Sequence, residues 1–237
     1  MQTSLMKSIA TWSIARNLRL PYAHLDRMSE LSYLRQLLTQ LQIDCVLDVG
    51  ANIGQFASEL RGIGYHGQIV SFEPIESVFS SLQGSFAGDR KWRGFHMALG
   101  AREDSMTITI PKLTVMSSLL ESGVTETGTR KETVTVRRLD QILPALKQDL
   151  GVSRVFLKMD TQGYDLEVFK GACGCIDGIL GIQSELSVQP LYKNMPHYLE
   201  SLQAYESAGF VLYNLSVVNR IESGGLLELN CFMRRRA

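Results

Sequence analysis

What this chain of 237 residues has little of narrows it first. It holds four cysteines, Cys45, Cys173, Cys175 and Cys231, at spacings that make no framework. A disulfide-stapled domain is therefore excluded, and the single C-x-C lacks the second ligand pair that a structural zinc site needs. Charge of one sign is not in excess, since 24 basic residues face 24 acidic ones. No global field draws the chain to nucleic acid or anionic lipid. The Arg234-Arg235-Arg236 run is short and reads as a solvated tail. Long apolar runs are missing, so no window spans a bilayer. Lys7, Arg16 and Arg19 interrupt the apolar start, which argues against a secretory signal. Reduced thiols in a cytoplasmic protein are the expectation. Repeats and low-complexity tracts are absent too, and 45% apolar residues are ample for one core.

What is present is an alternation of strand and helix patterns. Residues 1–41 form a helical extension, with Leu5, Ile9 and Trp12 on one face, then Pro21, then Leu31, Leu34, Leu37, Leu38 and Leu41 at helical spacing. These apolar helices could pair two copies of the chain. Residues 42–237 are the expected main domain. Its strands are placed at Cys45–Val49, Gln68–Glu73, Gly94–Leu99, Val155–Asp160 and Gly178–Glu185, with helices between. Met106–Ile110 and Thr133–Arg137 break the rhythm as an antiparallel excursion, joined by a polar stretch able to cover a ligand. The helix through Leu139, Ile142 and Leu146 is expected to be interrupted at Pro144. Two successive strands, Phe210–Leu215 and Leu226–Met233, point to a closing antiparallel hairpin. The expectation is an α/β, Rossmann-like fold with a mostly parallel seven-stranded sheet and that hairpin at its end.

The run Val46-Leu47-Asp48-Val49-Gly50-Ala51-Asn52-Ile53-Gly54 reads as a buried strand opening through a glycine turn into a helix. Such a unit brings backbone N–H groups to a ligand at the carboxyl end of a sheet. Asn52 stands where a dinucleotide turn has the glycine that admits a pyrophosphate, which argues against NAD. Asp48 argues for a ligand with a positive or hydroxyl-rich end, and S-adenosylmethionine fits. Glu73, in Ser71-Phe72-Glu73-Pro74, ends the next strand where a carboxylate can accept both ribose hydroxyls. Met97-Ala98-Leu99-Gly100 ends the third strand, where Ala98 and Leu99 offer apolar contact to an adenine. The expected cofactor set is thus Asp48, Gly50, Ala51, Asn52, Gly54, Glu73, Ala98 and Leu99.

The segment Phe156-Leu157-Lys158-Met159-Asp160-Thr161-Gln162-Gly163-Tyr164-Asp165-Leu166-Glu167, followed by Gly171-Ala172, resembles the FkbM family of methyltransferases. The D-V-G-A-N-x-G turn, the F-E-P strand end, Ala98-Leu99-Gly100, Ser117-Ser118-Leu119 and Leu139-Asp140 belong to the same resemblance, which runs from Val46 to about Met233. It implies an S-adenosylmethionine-binding sheet and O-methylation of hydroxyls on small natural products or sugars. This chain departs from the family's pattern at Gln162, where glutamate is usual, and at Asp165, where it is frequent.

For an alcohol acceptor a base within hydrogen-bond reach is expected, and Asp160, capping a central strand, is the first candidate. Lys158 could keep Asp160 ionised, steady an alkoxide, or be a structural ion-pair partner. Glu185, expected at the tip of the following strand, could join the chemistry or share a divalent metal with Asp160, although no metal is assigned. His197 reads as a helix-start surface residue. Two other readings compete: a non-catalytic binding or scaffold protein on the same frame, and a nicotinamide oxidoreductase, which Asn52 disfavours. The acceptor itself, a small molecule bearing a hydroxyl, is not spelled out by any segment.

Overall fold

A computed structural model describes residues 22–110, 130–190, 192 and 194–236. The early helix through Trp12, Pro21, Ser117-Ser118-Leu119 and most of the polar stretch before Lys131 lie outside the described residues. In chain order the elements are α1 (Tyr22–Gln40), β1 (Cys45–Val49), α2 (Gln55–Gly62), β2 (Gln68–Phe72), α3 (Glu76–Phe86), β3 (Trp92–Phe95), β4 (Ala98–Leu99), β5 (Asp104–Ile110) and β6 (Arg130–Arg137). There follow α4 (Leu139–Leu150), β7 (Val155–Met159), α5 (Asp165–Gly171), a 3-10 turn (Cys173–Gly178), β8 (Ile179–Ser187), α6 (Tyr198–Ser207), β9 (Phe210–Arg220) and β10 (Leu226–Arg235).

Seven strands form the main sheet in the order β3-β2-β1-β7-β8-β10-β9. The pairs among β3, β2, β1, β7 and β8 are parallel, and β10 runs antiparallel to both β8 and β9. Wholly buried and mostly apolar runs such as Cys45–Val49 and Val155–Met159 suit strands covered on both faces. The chain winds outward from β1 to β3 and then returns to β7 on β1's other side. That reversal opens a crevice at the carboxyl ends of β1 and β7, where ligands bind in such sheets. Leu34, Leu37 and Leu38 of α1 bury themselves in one core with Val46, Phe156 and Phe232. Leu34, Leu37 and Leu38 are thus spent inside their own chain.

The antiparallel excursion is a second sheet, β4-β6-β5. Ile108, Ile110, Val134 and Val136 give it a small core against Ile75 and Val78 of the α3 region. Several expectations need correction. Ala98 and Leu99 do not continue the third strand; they pair parallel with Val136 and Arg137 in this second sheet. Arg130 and Lys131 already belong to β6. Helix α4 runs unbroken through Pro144, which lies within its span. Glu185 is internal to β8, which continues two residues further because Ser187 still pairs with Glu228 of β10.

Two glycines permit the close approaches that build the crevice. Gly50 has φ of 74°, and a Cβ there would overlap the main-chain carbonyl oxygen of Asp160. A Cβ at Gly171 would overlap the carbonyl oxygen of Gly100, where α5 ends against the chain leaving β4. Gly50→Ala is expected to destabilise the protein by more than the roughly 1–2 kcal/mol of the left-handed backbone alone. Urea unfolding of the variant measures this, and a loss below that figure would mean that β1 and β7 are free to separate.

Candidate active site

The crevice holds a cavity of about 250 Å³ lined by β1's turn, the residues after β2, Ala98 and Leu99 of β4, Ile108 of β5, and Lys158, Asp160, Thr161 and Gln162. Of the expected set, Gly50, Ala51, Asn52, Glu73, Ala98, Leu99, Lys158 and Asp160 are on its wall. Asp48, Gly54 and Glu185 are not. Asp48 is 0% exposed and faces Lys158 behind the wall. Gly54 turns its Cα toward Leu82 and Phe86, where a side chain would clash.

The turn after β1 behaves differently from the expected row of free N–H groups. Gly50 and Ala51 both donate to the Phe72 carbonyl at 3.1 Å, and Gly54 donates to Ala51 at 2.9 Å. Asn52, at φ 48°, donates its N–H to Glu73 Oε2 at 2.9 Å, while its own Oδ1 takes the Ile53 N–H at 2.8 Å. Asparagine tolerates that left-handed conformation better than most side chains. With every backbone N–H of the turn committed, a phosphate would find no nest here. The physical reason against a dinucleotide is therefore this set of internal bonds as well as the missing glycine.

Glu73 is the acceptor that the turn presents instead. Its Oε1 takes the Ile75 N–H at 2.9 Å, so two backbone donors fix the carboxylate on the wall with further lone pairs free. Burial raises its pKa to about 7, against the lowering effect of those two bonds. Below that pH the carboxyl is protonated and is a weaker acceptor for a diol. Around Glu73 the wall is apolar, with Ile75, Ala98, Leu99 and Ile108. An acid beside an apolar slot suits a ribose joined to an adenine, so the donor set fits S-adenosylmethionine.

Deeper in the crevice, Lys158 Nζ donates to Asp48 Oδ1 at 2.9 Å and reaches the Gly50 carbonyl at 3.4 Å. It lies 5.2 Å from the Phe56 ring centroid and 3.5 Å from Asp160 Oδ2. The register places Asp48 and Lys158 side by side on β1 and β7, which is why an ion pair closes there. Asp160 itself remains 43% exposed and opens on the cavity. Asp165 anchors the loop that carries it. Its Oδ1 takes the Thr161 N–H at 2.8 Å and hydroxyl at 2.6 Å, and its Oδ2 takes the Ser184 hydroxyl at 2.8 Å and Glu185 N–H at 3.0 Å. The aspartate that departs from the family's glutamate is thus a fully used structural acceptor.

Gln162, the other departure, sits at φ 52° and bridges two acids. Its Nε2 donates to Glu185 Oε2 at 2.9 Å and to Asp160 Oδ1 at 3.4 Å, and its Oε1 accepts the Tyr192 hydroxyl at 3.3 Å. His197 caps α6 by accepting the Leu199 N–H at 3.4 Å. Sequence reasoning missed Arg27, Glu59, Gln183 and Asn230, which also line the cavity. Only Gln183 had a usable signal, as the β8 neighbour of Lys158. Arg27 and Asn230 come from opposite ends of the chain, and nothing local marks them.

A model of the methyltransferase FkbM domain matches residues 48–212, most of the chain. No curated protein matches the chain. Among solved structures, the methyltransferase domain of bacterial CtHen1-C is similar at 10% identity and TM-score 0.50, covering 90% of this chain and 100% of that one. Magnesium protoporphyrin IX methyltransferase from Synechocystis PCC 6803, solved with bound S-adenosylmethionine, is similar at 9% identity and TM-score 0.50, covering 92% and 85%. At such identities these two neighbours speak for the fold alone. Among the described residues no helix is long and apolar enough to cross a membrane.

Proposed function

Since the chain belongs to the FkbM methyltransferase family and its methyl donor is S-adenosylmethionine, we propose that it O-methylates a hydroxyl of a small molecule, a sugar or natural product. Glu73 carries the reading: a carboxylate pinned by two backbone donors on the cavity wall, with lone pairs left for a ribose diol. The cofactor supplies an already activated sulfonium methyl. What remains for the protein is to orient the acceptor and take its proton. Ala98, Leu99 and Ile108 give the adenine an apolar wall, and the donor-poor turn turns away phosphates. Asp160 is the base for the acceptor hydroxyl, and Lys158 Nζ stands 3.5 Å from its Oδ2. Holding the acceptor oxygen in line accounts for several kcal/mol of barrier lowering, because the step becomes effectively unimolecular.

Calorimetry with S-adenosylmethionine and S-adenosylhomocysteine tests the reading, and absence of binding at millimolar concentration overturns it. The pH dependence follows from Glu73. Its ionised form is the better acceptor and is about a tenth populated one unit below a pKa of about 7, so affinity at pH 6 is expected to be about tenfold weaker than at pH 8. Glu73→Gln should weaken binding and flatten that dependence. For the empty protein the sign is opposite. A carboxyl raised from 4.5 to about 7 contributes stability that is full below its ordinary range and lost as pH rises through 7. Unchanged affinity in Glu73→Gln would place the ribose elsewhere.

A further inference from the structure

The cavity runs past Asp160 to an end where Arg27 of α1 and Asn230 of β10, both outside the family match, meet Glu59 of α2 and Gln183 of β8. The charged nitrogen groups at this end are set against acids of the protein itself. Arg27 gives Nε and both terminal nitrogens to Glu59 and Glu30. Asn230 Nδ2 donates to Glu30 at 3.1 Å, Gln162 serves Glu185 and Asp160, and Lys158 serves Asp48 and the Gly50 carbonyl.

Oxygen acceptors are what is left over. The donors to Asp160 stand no closer than 3.4 Å, and its side chain stays 43% exposed. Gln183 is 4% exposed on the cavity wall, and its Oε1 has no hydrogen-bond partner among the described residues. Carboxylates also outnumber cations. With Lys158 set against Asp48 and Arg27 against Glu59, there remain Glu30, Asp160 and Glu185. Burial, and then the repulsion of Asp160, push the Glu185 carboxyl well up. Burial chiefly, with Glu59 and Asp160 adding to it, raises Glu30. A cation placed here would relieve all three acids.

We infer that this end of the cavity receives an ammonium group, so that the methyl acceptor carries its hydroxyl beside a protonated amine. The inference rests on the methyltransferase reading, which assigns the Glu73 end to the cofactor and this end to the acceptor. An ammonium brings three donors and no acceptor, the complement of Asp160, Gln183 and the acids around them. A carboxylate or phosphate would meet an excess of acids, with Lys158 already set against Asp48 and Arg27 against Glu59 and Glu30.

Three small hydroxyl compounds of different charge test this on the full chain saturated with S-adenosylhomocysteine: ethanolamine, ethylene glycol and glycolate, by ligand-observed NMR titration. Ethanolamine is expected to bind at least tenfold tighter than glycolate, with ethylene glycol between them, and to weaken as salt is raised. Gln183→Leu should reduce ethanolamine binding severalfold and leave S-adenosylhomocysteine affinity unchanged. Equal binding of ethanolamine and glycolate, or none by ethanolamine at tens of millimolar, overturns the inference. Binding of ethanolamine to the chain without S-adenosylhomocysteine but not to the saturated chain also overturns it, since the acidic end would then serve the cofactor's own amino group. If S-adenosylhomocysteine itself does not bind, the methyltransferase reading fails instead, and the two failures stay distinct.

Discussion

Replacing Lys158 with methionine is expected to destabilise the protein by about 3–5 kcal/mol, the cost of leaving a buried charge without its partner. Asp48 is 0% exposed, and Lys158 Nζ at 2.9 Å is its charged donor. Burial opposes the ammonium, yet Asp48 and Asp160 outweigh it and hold the Lys158 pKa above its usual value. Methionine keeps the apolar stem over Phe56 while removing the charge, so the loss reports the pair and not a cavity. The stranded Asp48 carboxyl would fold best protonated. The variant should therefore regain stability as pH falls and lose it as pH rises, the sign for a group whose folded pKa is raised. Adding Asp48→Asn should restore most of the deficit, because an apolar or neutral replacement of both partners can be close to neutral. Urea unfolding of the single and double variants measures each term. A single-variant loss within about 1 kcal/mol, the range of an exposed pair, would show that water reaches Asp48.

Asp160→Asn is expected to lower methyl transfer to a hydroxyl acceptor by about 10²–10⁴-fold, the usual contribution of a positioned base. The substitution keeps the side chain's shape, its 3.4 Å contact to Gln162 and its place after β7. It also removes the negative charge nearest Lys158 on the cavity side, which sits 3.5 Å away. Cofactor affinity should stay within a few-fold, since Glu73 and the apolar wall lie on the other side of the turn. A rate within tenfold of the unaltered protein would assign the proton elsewhere, and a parallel collapse of S-adenosylhomocysteine affinity would make Asp160 a cofactor residue.

Much of the scaffold was legible because strand burial and turn chemistry are local. The apolar runs at Val46 and Phe156, each with a polar residue at its tip, announce parallel strands covered on both faces. The final hairpin follows from two strand patterns with only a glycine turn between them. Where local reading failed, pairing decided. Ala98 and Leu99 looked like the end of β3, but β6 offered them a partner in a second sheet. Glu185 looked like a strand tip until β10 extended β8 past it. Pro144 looked like a break, yet α4 packs Leu139, Leu143 and Leu146 along one buried face, and that packing carries the helix through.

The sequence by itself determined the frame and the place of the turn and of Glu73 on the cavity wall. Asp48, Asn52 and Glu73 sit next to strand tips whose positions are set by short-range hydrophobic patterns, so their neighbourhood could be read in advance. Only the tertiary structure decided what each of them does. Asp48, which looked like a ligand contact, is instead the buried counter-ion of Lys158, because the β1–β7 register sets those two side chains together. The turn's N–H groups, which looked free, are consumed by Phe72 and Glu73, because β2 lies close enough to take them. The far wall joins Glu30 to Asn230 across 200 positions of chain, and no local pattern encodes a contact made only when α1 folds back over β10.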